Sequence, residues 1–322
     1  MQAIVVQALG GPEVLTLREH PVPRADRGHV LVRIQAIGVN FSDTERRRGT
    51  YNRPALPYIP GNEAAGVVEE VGPDVDPVWR GRRVSFWAMR TTGAYAEYAA
   101  APVAALFHLR DDLGFEQGAA LPTQGLTAYA MAEVVTTLTT GQTALVHAAA
   151  GGVGQLLVQL LRRRGVRVIG TASSPAKQKL VRALGAEGLG YGPELADQVR
   201  VATNGRGVDA VFDSVGQATR DASFAVLAPH GHLAYFGEAS GAPPSVEIDE
   251  LYGRSLHVSA FCLGTDPPER WHQARRDLQD WVVSGQLRLD IGRTYALAEA
   301  PDAHRYLEGR QSSGKLLLAP AP

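Results

Sequence analysis

The residues able to do chemistry are concentrated around one run. Residues 144–154 read Ala144-Leu145-Val146-His147-Ala148-Ala149-Ala150-Gly151-Gly152-Val153-Gly154, a short apolar stretch that ends in small residues and glycines. Gly151 and Gly152 would let the backbone approach a pyrophosphate, and Gly154 would let a following helix pack close to the strand. Leu156, Leu157, Leu160 and Leu161 then share one helix face, and Val166 to Thr171 is a second β-type run. Strand, glycine turn, helix and strand within about 30 residues form a dinucleotide-binding unit. The helix N-terminus would offer free N–H groups and a positive dipole end to phosphates. Ala149 stands where the usual fingerprint has its first glycine, so the surrounding pattern carries the assignment.

The end of the second strand selects the cofactor. An acid there would bind the ribose 2′-hydroxyl of NAD. This strand ends Gly170-Thr171-Ala172-Ser173-Ser174, with no acid, and Lys177 follows one turn into the next helix. Serine hydroxyls and a nearby positive charge suit a 2′-phosphate, so NADPH is expected over NADH. Ser173 and Ser174 also suit a helix cap. Lysine occurs only at positions 177, 179 and 315, which makes each of the three worth locating.

Other titratable side chains read as structural. Asp43 is expected to bond loop amides or an arginine such as Arg46, with no proton-transfer role. His147 precedes the glycine turn on a buried strand and reads as a satisfied core histidine. His230 and His232 flank Gly231 and read as loop residues. Cys262 has no evident basic partner and reads as a small buried apolar residue.

The elements that must position these residues fall into two sets. Residues 1–123 are β-rich with many glycine and proline breaks. Strands are expected at 4–7, 14–18, 29–39, 83–87 and 93–100, the stretch 61–72 is expected to turn into a strand, and a short basic helix is expected at 44–48 with a proline-rich loop at 51–60. Several short strands with turn signals predict a compact, partly closed β-barrel. A helix is expected over 121–135, and strands then alternate with helices to about residue 261, which predicts a doubly wound parallel sheet. An amphipathic helix at 271–284 and a final strand at 314–318 complete the chain.

The chain of 322 residues has room for two domains and a large core, and its net charge of −1 implies no polyanion partner. A single cysteine excludes an internal disulfide and a cysteine-rich zinc site, and fits a reducing compartment. The N-terminus has no basic leader region and reads as a first strand, and no apolar stretch is long enough to span a membrane. A cytoplasmic location is expected.

Taken together, several stretches resemble the medium-chain dehydrogenase/reductase superfamily, and within it the zinc-free quinone oxidoreductase branch that includes zeta-crystallin. The resemblance is carried by 148–154 with 170–174, and by Gly38-Val39-Asn40-Phe41-Ser42-Asp43, Pro60-Gly61-Asn62-Glu63-Ala64-Ala65-Gly66, Gly93-Ala94-Tyr95-Ala96-Glu97-Tyr98, Gly125-Leu126-Thr127-Ala128-Tyr129 and Phe212-Asp213-Ser214-Val215-Gly216. These run in the family's order over nearly the whole chain. The resemblance implies an α/β protein: a GroES-like β-barrel catalytic domain (1–123, completed by 264–322) and a Rossmann domain that binds NADPH (124–263), with the active cleft between them. It also implies a homodimer whose sheets join at the 256–261 edge.

The resemblance implies roles residue by residue. Gly151, Gly152 and Val153 would hold the pyrophosphate, and Ser173 and Lys177 the 2′-phosphate, with Tyr191 beside it. Ser214 and Gly216 would lie near the adenosine side, and Phe236 and Gly237 near the nicotinamide through backbone groups. Asn40 and Thr127 would face the nicotinamide or its ribose, and Asn40 could instead orient the substrate carbonyl. Lys315 matches a Gly-Lys pair common near the family's C-terminus, either as a cofactor contact or as an exposed surface lysine. Tyr51 matches a tyrosine of quinone oxidoreductases and a proposed proton donor of related enoyl reductases. It is a catalytic candidate for protonating an enolate, with simple packing at the cleft mouth as the alternative. Trp87, Met89, Arg90 and residues 261–264 are candidates for the substrate wall. Zinc alcohol dehydrogenases of the superfamily carry Cys, His and Cys where this chain has Asn40, Asn62 and Thr123, none a normal zinc ligand.

Without zinc to help an alcohol lose its proton, alcohol oxidation is disfavoured. Hydride transfer from NADPH to a small, already electrophilic acceptor is expected: a quinone first, an enoyl or enone double bond as the alternative. A non-enzymatic NADPH-binding or structural role, as in a lens crystallin, ranks third. Some relatives bind RNA, but balanced charge gives no basic stripe for nucleic acid here.

Overall fold

The computed structural model describes residues 1–87 and 93–321; the suggested wall residues Met89 and Arg90 lie outside these. In chain order the elements are β1 (Gln2–Val5), β2 (Thr16–Glu19), β3 (His29–Val39), α1 (Phe41–Arg48), β4 (Glu63–Val71), β5 (Arg83–Trp87), β6 (Tyr98–Pro102), β7 (Leu106–His108), α2 (Phe115–Ala120) and α3 (Leu126–Ala130). There follow β8 (Thr143–Val146), α4 (Gly152–Arg163), β9 (Arg167–Thr171), α5 (Pro175–Ala183), β10 (Glu187–Leu189), α6 (Leu195–Ala202), β11 (Val208–Asp213), α7 (Arg220–Val226), β12 (Leu227–Tyr235), α8 (Ile248–Tyr252) and β13 (His257–Ala260). The last are α9 (His272–Val283), β14 (Ile291–Ala296), α10 (Ala300–Glu308) and β15 (Lys315–Ala319).

The chain forms two compact units, one of Met1–Leu126 with Asp266–Pro322 and one of Thr127–Thr265. In the first, β3 is the central strand. It pairs antiparallel with β4, β6 and β15, and the described sheet runs β14-β15-β3-β4-β5-β7. Its inward residues Val32, Ile34 and Ile37 pack with Ile4, Val68, Phe86, Leu316 and Leu318 in one apolar cluster. Burying each such side chain contributes about 1.5–3 kcal/mol. The C-terminal strand thus returns to the sheet that the N-terminal half begins.

In the second unit the described sheet runs β10-β9-β8-β11-β12-β13, every pair parallel. Chain order therefore reverses at β8, whose neighbours are β9 and β11. In such sheets ligands bind beyond the carboxyl ends of the strands at the reversal. The core here is Leu145, Ile169, Val199, Val211, Phe224, Val226 and Leu233.

The departures from expectation have local causes. The helix expected over 121–135 begins earlier, at α2, where the Gln117 side chain accepts the Gly114 N–H at 2.9 Å. It is then broken into a π-turn at Leu121–Gly125, α3, and a second π-turn at Met131–Val135. Pro122 lacks an N–H, and lost ladder bonds of this kind accompany such widening. The strand expected over 93–100 forms only from Tyr98, and that over 14–18 only from Thr16, after a 3₁₀ turn at Pro12–Val14. His230 and His232 are not loop residues: β12 runs through both, and His232 Nε2 meets Ser259 Oγ on β13 at 2.8 Å. Cys262 is exposed, not buried, because β13 has ended before it. The short elements α8, α10, β7 and β14 go beyond the expectation; α10 does carry a helical pattern, with Ala300, Ala303 and His304 buried on one face.

Candidate active site

In the second unit the glycine turn joins β8 to α4. Gly151 is the N-cap of the helix, and Gln155 N bonds back to Gly151 O at 2.9 Å. This leaves the first amides of a twelve-residue helix without intrahelical partners. A Cβ at Gly154 would stand 2.7 Å from Ala149 Cα, so only glycine allows this approach of helix to turn. A Cβ at Gly170 on β9 would likewise meet the Ala149 Cβ at 2.7 Å. These omissions let α4 and β9 close on the turn and leave the free amides of the helix at the strand end.

The other expected cofactor residues gather at the same edge of this sheet. Ser173 follows β9, Tyr191 follows β10, Ser214 and Gly216 follow β11, and Phe236 and Gly237 follow β12. Ser173 is exposed. Ser174 caps α5, accepting Lys177 N at 3.3 Å, so the capping role falls to the second serine. The Lys177 side chain is half-buried, and burial holds its pKa below the usual lysine value. The Tyr191 hydroxyl accepts Ala148 N–H at 2.8 Å, and its ring stacks on His147 at 5.9 Å. Ala148 takes a φ of +49°, strained for a residue with a Cβ. Thr127 is buried on α3.

Behind this edge lies a polar network that the sequence reading had partly missed. Asp213 accepts Val215 N at 2.7 Å, Gly216 N at 3.0 Å, the Thr219 hydroxyl at 2.8 Å and the Ser223 hydroxyl at 2.9 Å. It thereby shapes the loop that carries Ser214 and Gly216. Ser223 spends its proton on Asp213, so it accepts from His147 Nε2 at 3.0 Å, and His147 Nδ1 takes the Thr171 hydroxyl at 2.9 Å. His147 is the satisfied core histidine expected of it, with burial lowering its pKa. An aspartate at a strand end followed two and three residues later by free amides is the sequence signal for Asp213.

In the first unit three neighbouring strands bring their ends together. Asn40 follows β3, Glu63 opens β4 and Lys315 opens β15. The pairings Val39–Leu316 and Ile37–Ala64 put all three at one end of the sheet. Lys315 Nζ donates to Asn40 Oδ1 at 2.9 Å and forms an ion pair with Glu63 Oε1. Asn40 Nδ2 donates to the same Glu63 oxygen at 2.6 Å, and Thr123 N to the other at 2.6 Å. Glu63 is fully buried and Lys315 is 2 % exposed, which excludes the surface-lysine reading. Gly38 makes room, since a Cβ there would collide with the Glu63 side chain. In the sequence Glu63 stands only inside a motif, and nothing local marks it as the partner of Lys315.

Asp43 lies beside this cluster and bonds a loop amide as expected, but it reaches Arg46 only through Asn62. Its carboxylate accepts Asn40 N at 2.9 Å, Asn62 Nδ2 at 3.0 Å and the Tyr95 hydroxyl at 3.3 Å, while Arg46 bonds Asn62 Oδ1 at 3.0 Å. Burial pushes its pKa up to about 7, against the lowering effect of the Asn40 N–H and the charges of Lys315 and Arg46. Tyr95 also meets His304 Nε2 at 3.0 Å, whose Nδ1 faces Arg47 at 3.0 Å; Arg47 pairs with Glu308 at 2.5 Å. Arginine only donates, so His304 is neutral with its proton on Nε2, directed at Tyr95. Tyr51 is half-buried in the bend after α1, and the structure does not gather it into the Lys315–Glu63–Asn40 cluster.

The family model described as "Zinc-binding dehydrogenase" matches residues 152–280, and "Alcohol dehydrogenase GroES-like domain" matches 26–111. A quinone oxidoreductase of Pseudomonas aeruginosa is 40% identical over 318 residues, covering 97% of this chain and 98% of the relative. A 2-haloacrylate reductase of Burkholderia is 35% identical over 336 residues, covering 99% of each. The crystal structure of Escherichia coli quinone oxidoreductase complexed with NADPH superposes with a TM-score of 0.95 at 32% identity, covering 99% of this chain and 100% of that one. The zinc implied by the first description does not fit these residues. Asn40, Asn62 and Thr123 offer amide and hydroxyl groups, and the Lys315 ammonium already occupies the acceptors of Asn40 and Glu63. With its GroES-like barrel, its Rossmann sheet and full-length likeness to these enzymes, the chain belongs to the quinone oxidoreductase type of the medium-chain dehydrogenase/reductase family.

Proposed function

We propose that this protein is a zinc-independent reductase that passes hydride from NADPH to a quinone. The observation that carries the reading is the pairing of an intact phosphate cradle at Gly151–Gly154 with metal-ligand positions filled by Asn40, Asn62 and Thr123. NADPH supplies the hydride when bound, and the chain supplies binding, orientation and charge. Gly151, Gly152 and Val153 at the start of α4 hold the pyrophosphate. Ser173 and Lys177 hold the 2′-phosphate, beside Tyr191. Ser214, Gly216, Phe236 and Gly237 line the rest of the strand ends, Thr127 serves the nicotinamide end, and Asn40 lies toward the nicotinamide or the acceptor carbonyl. With Asn40, Asn62 and Thr123 at the positions where zinc relatives carry their ligands, the reading calls for an acceptor that is itself electrophilic, and a quinone meets that need. The likeness to quinone oxidoreductases, one of them complexed with NADPH, supports this choice.

Reduction of an activated carbon–carbon double bond is the second reading, favoured by the likeness to the 2-haloacrylate reductase. There Tyr51 would protonate carbon after hydride arrives. Oxidation of NADPH followed by absorbance, with a benzoquinone and a matched α,β-unsaturated ketone in parallel, tests the pair. Turnover of the quinone supports the first reading; turnover of the enone alone, to a saturated ketone, replaces it with the second. We further propose a cytoplasmic homodimer joined along β13. None of the described helices is long and apolar enough to cross a membrane. A monomeric mass in solution would remove the dimer.

A further inference from the structure

The partner chemistry fixes the orientation of the Asn40 amide. Lys315 can only donate, so the atom it meets at 2.9 Å is the Asn40 oxygen. Gln124 Nε2 approaches the same oxygen at 3.5 Å. Glu63 Oε1 accepts from Asn40 Nδ2 at 2.6 Å and also holds the ammonium. Asn40 therefore has its acceptor side occupied and one amide proton spent, and what it retains is a single N–H donor. Next to it, Thr123 Oγ1 is buried and has no hydrogen-bond partner among the described residues. A donor and an orphaned hydroxyl flanking one carboxylate suit an oxygen of a bound molecule.

We propose that Lys315, anchored by Glu63, is a positioning residue that turns the Asn40 amide so that its remaining N–H donates to the carbonyl oxygen of the acceptor. The proposal rests on the quinone-reductase reading. The quinone accepts a hydride, one proton with two electrons, from the reduced dinucleotide. Negative charge then grows on a quinone oxygen, and a proton from water completes the hydroquinone as the oxidised dinucleotide leaves. A donor already aimed at that oxygen stabilises the charge as it develops. Lys315 polarises the Asn40 carbonyl, which makes the opposite N–H a stronger donor. The ammonium thus takes up at second hand the role that a metal would have at these positions. It acts on the acceptor, not on the cofactor phosphates.

The test compares wild type with the paired variant Lys315→Met/Glu63→Gln, which leaves no buried charge alone. Should that pair fail to fold, Asn40→Leu, which keeps the Lys315–Glu63 ion pair and removes the donor, serves the same comparison. NADPH affinity is read by fluorescence titration, and kcat is read with a series of benzoquinones from chlorinated to methylated. The expected result is NADPH affinity within about twofold of wild type and a kcat loss of about 10- to 100-fold. The loss should be greatest for the methylated, electron-rich quinones, which depend most on outside help. A loss equal across the series would overturn the proposal and make the cluster a scaffold. Weakened NADPH affinity as the sole change would overturn it in favour of a cofactor contact. Wild type that turns over no quinone would instead remove the reading on which the proposal stands.

Discussion

Lys315 and Glu63 form a buried ion pair across 252 residues of sequence, the ammonium at the start of β15 and the carboxylate at the start of β4. Both side chains are almost fully withdrawn from water. Removing one partner of such a pair leaves the other charge unpaired and costs about 3–5 kcal/mol, whereas replacing both costs far less. Lys315→Met should therefore lower unfolding stability in urea by about that amount, and adding Glu63→Gln should restore most of it. Equal losses in the single and paired variants would mean that the pair contributes no such penalty.

Lys177 and Ser173 are expected to choose between the two nicotinamide cofactors. A charge-assisted hydrogen bond contributes about 1.5–3 kcal/mol, so Lys177→Ala should weaken NADPH about 10- to 100-fold. NADH, which lacks the 2′-phosphate, should bind the variant as it binds wild type. Titrations of both cofactors against both proteins check this. A variant that loses both equally would place Lys177 in the fold of α5 instead.

Gly154 is predicted to tolerate no side chain. The position its Cβ would take is 2.7 Å from Ala149 Cα, a backbone atom that cannot rotate away. Gly154→Val should push α4 off the turn, lower Tm and abolish NADPH binding measured by fluorescence. Gly253, where an added Cβ meets nothing within 4 Å, is the control, and Gly253→Ala should leave cofactor binding unchanged.

His304 should make the protein acid-sensitive. Burial, reinforced by Arg47 and Arg48, lowers its pKa from 6.5 to about 3. Between these values the unfolded chain binds a proton that the native state refuses, so stability falls as pH drops below about 6.5. By pH 5 the loss is about 2 kcal/mol. Asp43 acts with the opposite sign: its pKa is raised from 3.8 to about 7, so its contribution is lost as pH rises through that window. Because Asp43 is present in both proteins, comparing wild type with His304→Gln isolates the histidine. The glutamine can still accept from Arg47 and donate to Tyr95, and its stability should fall less on acidification. Parallel pH profiles would show that His304 is protonated in the fold.

Tyr51 separates the two acceptor classes. Tyr51→Phe should leave quinone turnover within about twofold, because the hydroquinone oxygen exchanges its proton with water. Enone turnover should fall by about 10²-fold or more if the phenol protonates carbon. Unchanged enone rate and product stereochemistry would remove Tyr51 from the mechanism.

The sequence by itself determined the dinucleotide unit, because everything it needs is local. A strand, a turn stripped of side chains at Gly151 to Gly154, and a helix with Leu156, Leu157, Leu160 and Leu161 on one face lie within a single stretch of chain. The absence of an acid after β9 is equally local. Position in the family's motifs brought in Asn40, Thr127 and Lys315, but composition could not say whether Lys315 was exposed. The short elements α10 and β14 stayed hidden, and one expected helix became three short pieces, the first beginning at Pro122's turn. Only the tertiary structure decided that β15, β3 and β4 lie side by side. That adjacency sets Lys315 against Asn40 and Glu63 and turns the Asn40 amide one way. Strand order is fixed by the packing of a whole core, and no short window of sequence contains it.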